Sequence, residues 1–234
     1  MDINIFYEDN HIIVVDKPPK LPCQRDKTED TDLLSILQEK LSKEHNTKNP
    51  YIGLIHRLDR PVGGVILYAK TKFSNSNLSR QVQERSINKE YLAIICGNPE
   101  ERSGTLKDYL LKLRTINMSK VVNKDTKGSK EAILDYNIIE TIETEEFGPL
   151  SLVKVNLKTG RHHQIRVQLS HHKMPLWGDT KYNKTFTKRK EWNQIALWSH
   201  SLTFNHPKNN KELTFKSIPY NEYPWNLFNF SLLV

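Results

Sequence analysis

Short apolar runs closed by turn residues alternate along this chain with one clearly amphipathic segment, and the pattern predicts strands and helices in succession. Ile12 to Val15 is an apolar run stopped by Asp16-Lys17-Pro18-Pro19, the profile of a strand halted by prolines. Leu33, Leu34, Leu37 and Leu41 then fall on one helical face, with Thr31 and Asp32 placed to cap its start. Gly64 to Lys70 reads as a buried strand, residues 74–86 as a polar helix, and Tyr91 to Cys96 as the next strand. Ala132 to Ile139 and Leu150 to Leu157 alternate as two strands around a turn at Phe147-Gly148-Pro149. Ile195 to Trp198, Leu202 to Phe204 and Glu212 to Phe215 supply short strands near the C-terminus. Together they predict an α+β fold: a mixed, mostly antiparallel sheet with flanking helices and a central cleft between two halves. No repeat or long linker interrupts residues 1–234, which are expected to form a single domain.

Composition narrows the partner more than the fold. At 234 residues, 37% hydrophobic and 26% charged, the chain is neither fibrous nor disordered in character. Its first residues are acidic where a signal peptide is basic, and no apolar run is long enough to cross a bilayer, so a cytoplasmic location without a membrane partner is expected. Cys23 and Cys96 lack metal-type spacing and are read as packing thiols. The net charge of +8 is concentrated: residues 101–130 carry eight Lys and Arg against three acids, and residues 158–190 nine against one. Residues 131–157 run the other way, with one against six. Clustered cations are the footprint of a polyanion, most simply a nucleic acid backbone; a lysine-rich surface with no partner is the alternative.

Four segments could carry chemistry. His56-Arg57-Leu58-Asp59-Arg60 sets a carboxylate among cations before Pro61-Val62-Gly63-Gly64, which suits a nucleophile or a charge clamp. The competing reading is a surface ion pair of Asp59 with Arg57 or Arg60. In Lys89-Glu90-Tyr91, the tyrosine opening a strand offers a flat face to stack on a base, or is simply a half-buried strand aromatic. Thr159-Gly160-Arg161-His162-His163-Gln164-Ile165-Arg166 is donor-rich; as a helix it would bury Ile165 and Leu169 and offer its start to phosphate, or it is a solvated basic helix end. His162-His163 and His171-His172 show no helical zinc pattern, and Asp179 is the one acid close by in sequence, so no metal is expected. Lys173 to Tyr182 reads as a turn at Gly178-Asp179 that shapes the cleft, followed by a basic stretch ending in Lys188-Arg189-Lys190.

In this order the segments resemble the RluA-type pseudouridine synthase family. The family pattern His-Arg-Leu-Asp-Arg followed by a glycine and a strand ending in Ala-Lys is matched by His56 to Arg60, Gly64 and Ala69-Lys70. Lys-x-Tyr is matched by Lys89 to Tyr91, and Thr-Gly-Arg-x-His-Gln-Ile-Arg by Thr159 to Arg166. Gly178-Asp179, Tyr182, Ala196-Leu197 and His206-Pro207 follow, and Tyr7 through Pro18 resembles the family's entry strand.

The resemblance implies an RNA pseudouridine synthase, an isomerase acting on uridine in structured ribosomal or transfer RNA without a cofactor; separately from the resemblance, a monomer is expected. It implies that Asp59 is the nucleophile, that Tyr91 stacks on the uracil and that Arg166 pairs with the aspartate. Leu197 would wall the pocket, and Arg57 would fill the space left by the flipped base. His56, Arg60, Arg161, His163 and Gln164 are the other expected RNA-binding residues. The chain departs from the pattern where Pro61-Val62-Gly63 replaces Asp-Thr-Ser, where Trp198 replaces a common histidine and at Gln168. No separate S4-type domain is expected before Ile5. The competing function is a non-catalytic RNA-binding or RNA-chaperone protein on the same fold.

Overall fold

Two apolar faces, built from different parts of the sequence, organise the chain. The structure, a computed structural model, describes residues 2–26, 28, 30–189 and 193–233; Lys190, at the end of the basic run read above, lies outside the described residues. The chain divides into one unit of Met1–Asn88 with Ser199–Ser217 and a second of Lys89–Trp198 with Ile218–Val234.

The first unit opens with β1 (Ile5–Glu8) and β2 (Ile12–Lys17), the apolar run of the sequence, which pair antiparallel. Helix α1 (Leu33–His45) follows, capped by the Asp32 carboxylate accepting from the Ser35 N–H at 3.1 Å, with Leu33, Leu37 and Leu41 buried. A two-residue strand β3 (Gly53–Leu54) leads to β4 (Gly63–Ala69), every residue of which is buried. Helix α2 (Lys72–Gln83) starts two residues before the predicted 74 because the Thr71 hydroxyl accepts from Ser74 N and caps it there.

The second unit holds β5 (Asn88–Cys96), β6 (Ser103–Leu113), β7 (Met118–Val122), β8 (Lys130–Thr144) and β9 (Gly148–Leu157). It also holds α3 (Gln164–His171) and the short α4 (Lys184–Thr187). Its strand order is β5-β9-β8-β6-β7, with each of these neighbours antiparallel.

Strand β10 (Leu197–Asn205) begins in the second unit and continues into the first, where the order is β1-β2-β4-β10, with β3 on β4 and β11 (Glu212–Lys216) on β10. The sequence pattern predicts two short strands at 195–198 and 202–204; the structure has one, because the polar break between them is bonded inside the sheet. Ser199 Oγ donates to Val65 O at 2.9 Å, and His200 Nδ1 to Ser217 O at 2.6 Å. The fold is α+β as expected, with Ile12, Val14, Val65, Leu67, Leu78 and Phe204 packed in the first unit and Leu92, Ile94, Leu152, Trp177 and Trp198 in the second. The β6–β7 hairpin, which takes up most of the first basic block, is absent from the pattern reading. Among the described residues no helix is long and apolar enough to cross a membrane.

Candidate active site

Asp59 sits in the connection between β3 and β4, and its backbone is pinned from three directions. Arg57 and Arg60 are exposed, Leu58 is buried and Asp59 itself is half-buried. The Val62 N–H closes a turn on Asp59 O at 2.9 Å, which Pro61 and Val62 make without the polar side chains of the family pattern. Cys23, read as a packing thiol, does more: its Sγ donates to Leu58 O at 3.2 Å and accepts from Leu58 N at 3.3 Å. Burial raises the Cys23 pKa, which keeps that donor protonated. Lys17 is fully buried, and its ammonium donates to Pro18 O at 3.0 Å, Leu21 O at 2.8 Å and Arg60 O at 3.2 Å. Burial pulls its pKa down to about 8, opposed by negative charge that includes Asp59.

The cations around Asp59 are not equivalent. Arg60 turns toward the segment before α1, donating to Asp30 at 2.6 Å, Thr28 Oγ1 at 3.2 Å and Lys20 O at 3.0 Å. The hydrogen bond from Arg60 holds the exposed Asp30 carboxyl below its ordinary range. His56 Nε2 accepts the Leu67 N–H at 3.3 Å, which fastens the motif's first residue to β4.

In the second unit, Tyr91 is buried on β5 opposite Val155 of β9. Lys89, on the same face of the strand two residues earlier, brings its ammonium near Gly160, where an added Cβ would lie 3.9 Å away; burial lowers its pKa. The donor-rich segment at 159–166 is helical only from Gln164: α3 begins there, Arg161 precedes it, and His163 occupies the cap position at φ 53° without a side-chain cap bond. The segment is therefore held by its own side chains. Gln164 Oε1 accepts from Thr159 Oγ1 at 2.8 Å and Arg161 N at 2.9 Å, while its Nε2 donates to Ile133 O at 3.1 Å. Arg161 Nε donates to Glu131 O at 2.8 Å. His163 Nδ1 bonds the Tyr182 hydroxyl at 2.9 Å, and the same hydroxyl accepts the Ser119 N–H at 2.7 Å. Ile165 and Leu169 are buried as predicted, but so is every residue from 164 to 169, so α3 has no solvated face over that span. Leu197 is buried at the start of β10.

Arg166 donates from Nε to Asp179 Oδ2 and from Nη2 to Asp179 Oδ1, both at 2.8 Å, and its guanidinium lies 5.3 Å from the centroid of the Tyr182 ring. Both members of this pair are buried. The turn at 178–179, read as shaping a cleft, thus carries a charge partner that the sequence reading did not assign.

The histidine pair His171-His172 meets an acid the linear reading missed. Asp108 of β6 bonds His172 Nε2 at 3.1 Å, and Asp108, His171 and His172 offer ligand atoms within 4.8 Å of one another, a set that could hold a metal ion. Gln168, one of the departures from the family pattern, orients Asp108 with a 2.7 Å bond to Oδ2 and also donates to Leu106 O and Ala132 O. Trp198, another of the departures, is buried in the second unit's apolar cluster.

Comparison with known proteins finds relatives that match over nearly the whole chain. A tRNA pseudouridine synthase C from Haemophilus ducreyi is 30% identical, the match covering 98% of this chain and 99% of the relative. The ribosomal large subunit pseudouridine synthase C of Buchnera aphidicola is 29% identical over 91% of this chain and 66% of its own length. The solved structure of human RNA pseudouridylate synthase domain containing 4 superposes with a TM-score of 0.78 at 20% identity, covering 96% of this chain and 91% of that one, which shows a shared fold. Residues 11–171 match the family profile described as RNA pseudouridylate synthase, and on that match the chain belongs to the RNA pseudouridylate synthase family.

Proposed function

We propose that this chain isomerises uridine to pseudouridine in a structured RNA, with Asp59 as the nucleophile and residues 1–234 acting as one catalytic domain. The observation that carries the nucleophile is the immobilised backbone around Asp59: Cys23 holds Leu58, Lys17 holds Arg60, and Val62 closes the turn. A half-buried carboxylate on a fixed backbone is presented in one direction, and orientation of this kind replaces entropy that a mobile nucleophile would lose on attack. The Asp59 carboxylate bonds the target nucleotide as the bond from the sugar to the base nitrogen breaks; the detached uracil rejoins the sugar through carbon, and the bond to Asp59 breaks, freeing the carboxylate. The proton displaced from that carbon leaves, and the freed nitrogen regains one, so atoms balance without a cofactor.

In this reading Tyr91 stacks on the uracil, Arg166 is the charge partner of Asp59 and Leu197 is an apolar wall. Arg57, exposed beside the nucleophile, fills the gap left by the flipped base. His56, Arg60, Arg161, His163 and Gln164 shape the RNA-binding surface, and the basic blocks at 101–130 and 158–190 contact phosphates without reading sequence. The end-to-end match to the Haemophilus ducreyi enzyme favours transfer RNA over ribosomal RNA as substrate. The enzyme acts as a cytoplasmic monomer.

Asp59→Ala tests the assignment. It should abolish pseudouridine formation in tRNA while leaving RNA affinity within a few-fold of wild type; turnover by the variant would overturn the nucleophile. Wild type that binds RNA but adds no pseudouridine to any RNA pool would instead favour a non-catalytic RNA-binding protein.

A further inference from the structure

We infer that Asp179, together with Tyr182, is the positioning device for Arg166, a two-sided clamp that fixes which edge of the guanidinium is offered to the reaction. The inference rests on the proposed role of Arg166 in the chemistry and assigns the turn a task beyond shaping a cleft. Asp179 is 1% exposed. Its Oδ2 takes Arg166 Nε, and its Oδ1 takes Arg166 Nη2 together with the N–H groups of Lys181 at 2.8 Å and Tyr182 at 3.2 Å. The carboxylate is thus anchored by its own turn before it engages the arginine.

The side-on fork on Asp179 uses two of the five guanidinium N–H groups and directs the remaining three away from it. The Tyr182 ring faces the guanidinium at 5.3 Å and limits rotation out of that plane, while the ring's hydroxyl is itself held by Ser119 N and His163 Nδ1. Gly178 fixes where the turn sits: at φ +74° it occupies backbone space that favours glycine, and a Cβ there would come within 2.5 Å of Gln194 O. An arginine held on one edge and one face keeps its other edge in a constant direction, so negative charge developing there meets a fixed cation that needs no reorganisation. An isolated arginine side chain would give no such constancy, because its rotamers are many.

The test is a double-mutant cycle on the full chain, read by single-turnover pseudouridine formation at saturating tRNA and by separate RNA binding. Asp179→Asn keeps the side chain's size and removes the charge and the second acceptor. It should lower the rate by about 100-fold or more, the scale of losing one preorganised charged contact, with RNA affinity within a few-fold of wild type. In an Arg166→Lys background, whose ammonium cannot make the fork, the same substitution should cost only a few-fold further. Asp179→Glu should recover part of the rate, a rescue that a purely structural role would not produce. If Asp179→Asn does not fold, Asp179→Glu carries the cycle, with a loss in the wild-type background that disappears in the Arg166→Lys background. An Asp179 cost that is equal in both backgrounds, or absent, would overturn the clamp. An active Asp59→Ala would bring down the parent reading, whereas an inactive Asp59→Ala beside a fully active Asp179→Asn would bring down the clamp alone.

Discussion

Raising the pH from 7 to 11 discharges one fully buried cation beneath the Asp59 loop, and the direction of the resulting stability change follows from Lys17. Its pKa falls from the ordinary 10.5 to about 8 in the folded protein because burial penalises the ammonium. Below pH 8 the group is charged whether the chain is folded or not, so it contributes no slope. Between about 8 and 10.5 the unfolded chain holds one proton more than the folded one, and stability therefore rises with pH. Above 10.5 both states are neutral and the slope ends. The gap between the two values, at about 1.36 kcal/mol per pH unit, comes to roughly 3 kcal/mol. Other lysines and tyrosines titrate in the same range, so the quantity to measure is the difference between wild type and Lys17→Met. Urea unfolding followed by circular dichroism at half-unit steps of pH gives that difference, and it should climb by roughly 3 kcal/mol across the window. If Lys17→Met does not fold, NMR titration of the wild-type lysine side chains replaces it and should find one midpoint near 8. A difference that stays flat or falls with pH, or a Lys17 midpoint at its ordinary value, would refute the reasoning.

Two further outcomes follow from packing and from ligand chemistry. Gly64 has φ +110°, and a Cβ there would collide with the Ser199 carbonyl of β10, so Gly64→Ala should cost about 3 kcal/mol or more, read as a lower urea midpoint; a variant as stable as wild type would contradict the collision. Activity should survive exhaustive dialysis against a strong chelator, because the proposed isomerisation needs no metal. A loss restored by added zinc would draw Asp108, His171 and His172 into the reaction.

The strands around the proposed site were legible because their apolar runs, though short, are unbroken and sharply ended: Ile12 to Val15 by prolines, Tyr91 to Cys96 by glycine. The β6–β7 hairpin was not. In β6 only Leu106 and Leu110 are buried, and a spacing of four fits one helical face as well as one strand face. What makes it a strand is pairing with β8 on one side and β7 on the other, information that lies in distant residues. The same limit applied to side-chain partners. The sequence put Arg60 beside Asp59, yet its guanidinium goes to Asp30, thirty positions away, where Lys20 and Thr28 also meet it. Lys17 carried a signal that was passed over, a lysine closing an apolar strand just before two prolines. The Pro18 and Leu21 carbonyls lie within reach of its ammonium, which donates to both.

The proposed charge pair is therefore prepared separately within each unit before any RNA arrives, and by different means. Asp59 is aimed through its backbone, by a thiol and an ammonium that bond its neighbours' peptide groups. Arg166 is aimed through its side chain, by a carboxylate and a ring that touch the guanidinium directly. The two devices should fail differently. Loosening the first lets the proposed nucleophile's backbone drift, so substitutions at Cys23 or Lys17 lower stability and rate together, since the groups they remove are buried and bonded. Loosening the second turns one guanidinium on its stem and misdirects one charge; because Asp179 is buried and also accepts the Lys181 and Tyr182 N–H groups, stability falls with the rate here too. The difference follows from where each group is attached: losing the first displaces the backbone that carries a carboxylate, and losing the second rotates a guanidinium on its own side chain.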